Sequence, residues 1–143
     1  MTTKELTTKE LLDIIKMKDN YQEIIDETHS FFSNVTLAEY LNELIRIKSL
    51  KKADVIFQSR LERSYAYQIF SGKKMPSRNK LLALAFGMRL TFEDVQDLLK
   101  INGYAQLYPK NSRDHLIIFA LYKGLDIIEL NENLLLIGEA AVE

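Results

Sequence analysis

At 143 residues, 47% of them apolar, the chain is long enough for one ordinary domain with a sizeable core, and five Gly and two Pro punctuate it too sparsely for a turn-rich β fold. The absence of cysteine excludes disulfides, thiolate metal ligands and thiol nucleophiles. No run approaches the ~18 apolar residues of a membrane span, and Met1 to Glu10 lacks an apolar leader-like stretch, so an all-α, cytoplasmic protein away from membranes is expected.

In chain order, Thr7 and Glu10 have capping-box spacing ahead of Leu11, Leu12, Ile14 and Ile15, and a second stripe runs through Tyr21, Ile24, Ile25, Phe31 and Phe32. Residues 1–35 are therefore expected to form an acidic helical extension. Thr36 and Glu39 open a helix with one buried face, Leu37, Tyr40, Leu41, Leu44 and Ile45. Two short helices are expected over Lys51–Ser59 and Glu62–Ser71, with Arg60 and Leu61 as a tight corner between them and Gly72 as the stop. Lys73 to Ser77 is a basic loop, and Ser77 can cap a helix carrying Leu81, Leu82, Leu84, Ala85 and Met88. Thr91 with Asp94 starts the next, which Asn102-Gly103 ends. Arg113–Lys123 and Asp126–Ile137 read as two apolar helices that need cover, on the core or against a second copy of the chain. The expected organisation is 1–35, a central unit 36–103, and a C-terminal segment 104–143.

The net charge of −1 conceals a sorting along the chain. Residues 1–43 carry −5 and residues 81–143 carry −4, whereas residues 44–80 carry +8, a local footprint for phosphate. On the second short helix, Ala66, Ile69 and Phe70 share one side, and Ser64, Gln68 and Ser71 face the other, flanked by Tyr65 and Tyr67.

The segment Leu50–Leu99 resembles the lambda-repressor-like (Xre/Cro-like) family of helix-turn-helix regulators. The strongest match is Tyr65-Ala-Tyr-Gln-Ile-Phe-Ser-Gly-Lys-Lys-Met-Pro-Ser-Arg, where an apolar pair, a small polar residue and Gly end one helix and a basic loop with Pro leads to the next. Asn102-Gly-Tyr, Leu107-Tyr-Pro-Lys and Arg113-Asp114 look similar to extended members. Two positions depart from the family pattern: Arg60 stands at a corner that is usually Gly, and Ile56 where a small Ala is usual. The resemblance implies a lambda-repressor-like core with added N- and C-terminal helices, and a transcriptional regulator that binds double-stranded DNA. Arg63, Ser64, Tyr67 and Gln68 would then read base edges in the major groove, Arg63 suiting guanine and Gln68 adenine. Lys51, Lys52, Ser71, Lys73, Lys74 and Arg78 would contact phosphates. A homodimer using the last helix is expected with it.

The alternative is a protein-interaction module, antitoxin-like or adaptor, that keeps this scaffold and binds a protein partner through the N-terminal extension. Catalysis is not expected: His29 and His115 are far apart, without a metal-binding motif, nucleophile elbow or phosphate-binding glycine loop. No cofactor or metal is expected, and Asp126, Glu129 and Glu132 read as a solvated helix face.

Overall fold

A computed structural model of the protein describes residues 7–10 and 35–143, so the apolar stripes expected between 11 and 34 lie outside the described residues. Among the described residues there is no strand. The helices are α1 (Leu37–Ile47), α2 (Lys52–Ser59), α3 (Arg63–Phe70), α4 (Arg78–Gly87), α5 (Phe92–Ile101), α6 (Ser112–Lys123) and α7 (Ile127–Leu136).

Capping chemistry sets most of their starts. Thr36, Ser77, Thr91 and Asn111 each accept the backbone N–H three residues on, from Glu39, Lys80, Asp94 and Asp114 respectively. Each such cap contributes about 1 kcal/mol. Asp126 and Glu129 cap α7 reciprocally, so two carboxylates that read as a solvated face form a complete capping box. At the N-terminal end, Glu10 N–H donates to Thr7 Oγ1 at 3.1 Å and Thr7 N–H to Glu10 Oε2 at 3.3 Å. Residues 8–10 are helical, and Thr8 Oγ1 donates to Glu43 on α1 at 3.0 Å.

Helix α4 is the centre of the fold. Every residue from Leu81 to Met88 is buried, and α2, α5 and α7 all pack on it. An apolar surface all round is what a helix enclosed by others requires. The approach of α2 depends on Gly87, where an added Cβ would lie 2.4 Å from the Val55 carbonyl oxygen and 3.1 Å from Ser59 N. Ile56, bulky where a small residue is usual in the resembled pattern, is 3% exposed within this packing, and Ala66 of α3 is fully buried.

Residues 104–143 join the same core through Leu107, Ile117, Ala120, Ile127, Leu130, Leu134 and Val142. The chain's last residues are held as well. Arg113 donates to the Ala140 and Ala141 carbonyls, and the Asn131 amide bonds both Val142 N–H and its carbonyl. No helix among the described residues is long and apolar enough to cross a membrane.

Candidate nucleic-acid interface

Helices α2 and α3 meet at a corner of three residues, Arg60, Leu61 and Glu62. Arg60 takes the left-handed conformation, φ 62° and ψ 14°, at a cost of ~1 kcal/mol for a residue with a Cβ. Ser59 compensates. Almost fully buried, its hydroxyl donates to the Ile56 carbonyl at 2.6 Å and accepts the Leu61 N–H at 3.2 Å, so the turn leaves neither group unpaired. The corner expected from sequence thus forms with Arg60 in it, its guanidinium over the Phe57 ring.

Glu62 caps α3: its two carboxylate oxygens accept the Ser64 and Tyr65 N–H groups at 3.0 and 2.8 Å. The other end closes at Gly72, φ 84°, where Gly72 N–H donates to the Ile69 carbonyl and Lys73 N–H to that of Gln68. This pair of bonds is the Schellman arrangement, which needs a left-handed residue at the Gly72 position. Asn42 of α1 donates to the Phe70 carbonyl at 2.8 Å and so ties α1 to the same end of α3.

With both ends fixed, α3 buries Ala66, Ile69 and Phe70 and leaves a polar face outward. Arg63, Ser64, Tyr67, Gln68 and Ser71 line an open concavity of about 720 Å³, together with Lys52 from the first turn of α2, Glu62, Phe70 and Lys73. The expected base-reading residues therefore gather in one place, with Lys52, Ser71 and Lys73 at their side. Lys51 and Lys74 are exposed immediately beside two of these in the chain. Tyr67 is half-buried against the core, with the Arg63 guanidinium 5.7 Å from the centre of its ring, and Lys52 Nζ lies 5.1 Å from the centre of the Phe70 ring. Such contacts restrict the long cationic side chains before any ligand arrives.

The basic segment is less concentrated than its charge of +8 implies. Arg46 pairs with Glu43 and Lys48 with Asp94 at 2.9 Å, on α1 and α5. Arg78, expected at a phosphate, has its guanidinium committed elsewhere. It bonds both oxygens of the nearly buried Asp114 at 3.2 and 3.0 Å and donates to the Ala105 and Gln106 carbonyls. That arrangement makes Arg78 a clamp between α4 and the segment leading into α6. The α1–α5 side is acidic: burial, then Asp97 and Asp94, push the Tyr40 phenol up to about 12, and burial followed by Asp94 raises the Asp97 carboxyl.

Glu62 is the residue of this face that sequence reasoning missed, because it read as the first helical residue and not as the cap. An acid directly before the Arg63–Ser64 start was the available signal. Among the described residues no three His, Asp or Glu cluster as a metal site. No protein-family model matches the chain, and neither a characterised protein nor a solved structure matches it significantly.

Proposed function

We propose that this chain is a sequence-specific DNA-binding regulator with a lambda-repressor-like core, in which α2 and α3 form a helix-turn-helix and α3 enters the major groove. The observation that carries this reading is the convergence of Arg63, Ser64, Tyr67 and Gln68 on one exposed face with Lys52 and Lys73 beside them. A fork of guanidinium donors and an amide are what base edges require, and flanking cations set the register on the phosphates. Each aligned bidentate contact discriminates by about 1–3 kcal/mol. The chemistry proposed is binding alone, without a catalytic residue or cofactor.

Dimeric binding belongs to this proposal. Ile128, Leu135, Leu136 and Ile137 of α7 and its C-cap are 46%, 67%, 83% and 54% exposed, an apolar surface of the kind that a second copy covers. Selection of genomic fragments with the full chain at near-physiological salt tests both parts. A palindromic motif with half-sites about one helical turn apart is expected for a dimer. Absence of any enriched sequence counts against a regulator and in favour of the protein-interaction module, whose N-terminal contact region falls largely outside the described residues.

A further inference from the structure

Beyond α5 the chain runs from Tyr104 to Lys110 as irregular structure, yet its middle is held by side chains from elsewhere in the fold. Tyr104 Oη donates to the Pro76 carbonyl at 2.6 Å, joining this segment to the basic loop that follows α3. Arg78 takes the carbonyls of Ala105 and Gln106. The Gln96 side chain brackets Leu107, accepting its N–H at 2.8 Å and donating to its carbonyl at 3.0 Å. Tyr108 N–H donates to Asp114, and His115 Nδ1 lies 3.0 Å from the Pro109 carbonyl.

The Tyr104 end of the segment also lies near α3. Lys80, in the first turn of α4, sits over the Tyr65 ring of α3, and burial followed by the neighbouring Tyr65 phenol raises Tyr104 above its ordinary value. Within the segment Leu107 points inward, 3% exposed, while Gln106, Tyr108 and Lys110 point out, Tyr108 to 58%. Of the carboxylates beside the segment, Asp114 is paired with Arg78 and Glu139 accepts from the Ser112 hydroxyl. A loop already ordered, studded outward with an amide, a phenol and an ammonium, and fastened to the basic loop costs little further entropy when it binds.

Resting on the helix-turn-helix reading above, we propose that Tyr104–Lys110 is a second DNA-contacting element, gripping the sugar–phosphate backbone beside the base-read half-site through Tyr108 and Lys110. This lengthens the footprint past the reach of α3 without adding base specificity. The contact belongs to the C-terminal segment, so that segment serves the interface as well as the core.

The test compares the full wild-type chain with Tyr108→Ala/Lys110→Ala, with Lys73→Ala, and with Lys123→Ala as a distant cation. Binding is measured against salt on duplexes carrying the selected motif, with flanking base pairs trimmed stepwise. The double variant should melt like wild type, bind several-fold more weakly, and have a salt dependence shallower by about one. Trimming the flank should weaken the wild type and leave the double variant unchanged. A double variant matching wild type in affinity, salt slope and trimming response, while Lys73→Ala still binds more weakly, overturns the second element and leaves the helix-turn-helix reading intact. A wild-type chain that binds no duplex overturns both.

Discussion

Gly87→Ala isolates the packing of α2 on α4. The new Cβ would meet the Val55 carbonyl oxygen at 2.4 Å, so reaching even the 3.0 Å limit of real contacts requires about 0.6 Å of separation, and both partners are backbone. Gly87 closes α4 with ordinary helical geometry, so alanine brings back up to ~1 kcal/mol of helix propensity. Overpacking against a backbone that cannot rotate away costs about 1–3 kcal/mol or more. The high end applies, because the same Cβ lies 3.1 Å from Ser59 N, the residue that secures the corner. A net loss of about 2 kcal/mol follows, which lowers Tm by roughly 7 °C for a domain of this size. Thermal unfolding followed by circular dichroism measures it. Gly103→Ala is the control: its φ is 82° and no atom lies within 4 Å of the added Cβ, so only the ~1 kcal/mol left-handed strain applies. A Gly87→Ala protein that melts at or above wild type, or a Gly103→Ala protein that loses more, would refute the close-approach argument.

Three other perturbations follow from the same geometry. Arg78→Met leaves the Asp114 carboxylate, 9% exposed, with the Tyr108 N–H and no cation, and should cost about 2–4 kcal/mol in urea unfolding; no loss would mean that the clamp is not structural. Glu62→Ser keeps a side chain able to cap α3 but removes a negative charge from the concavity, so nonspecific duplex binding should tighten a few-fold at low salt with Tm nearly unchanged; unaltered affinity would separate Glu62 from the interface. Asp97 binds its proton more tightly folded than unfolded, so its ionised form weakens the fold above its folded-state titration range and this cost vanishes as pH falls below the unfolded range. Asp97→Asn should accordingly melt slightly higher than wild type at neutral pH, with the two curves converging in acid; a constant difference at all pH values would contradict the assignment.

The helices from Thr36 onward were legible in the sequence because their signals are local. A hydroxyl or amide three residues ahead of an N–H, a Gly after the last apolar residue and a three-to-four residue stripe each act within one turn. The outward face of α3 was legible for the same reason: with Ala66, Ile69 and Phe70 buried, helical geometry places Arg63, Ser64, Gln68 and Ser71 on the other side. What the sequence concealed depends on residues distant in the chain. Arg78 looked like one more cation in a basic run, and only the fold brings Asp114 to it, 36 residues on. Gly87 carried no turn signal because its requirement comes from Val55 on another helix. Glu129 and Glu132 are exposed, as a solvated face requires, but a capping box and a charged face have the same spacing, and only the start of α7 after Gly124 reveals that Asp126 and Glu129 also cap it.

The most direct test of the central claim is the ratio of specific to nonspecific affinity for Arg63→Ala, Gln68→Ala and Lys73→Ala, measured on the selected motif and on a scrambled duplex at one salt concentration. If α3 reads bases, Arg63→Ala and Gln68→Ala lower that ratio, each by about 1–3 kcal/mol, while Lys73→Ala weakens binding to both duplexes alike and leaves the ratio unchanged. Equal losses on both duplexes from all three substitutions would contradict base reading by α3.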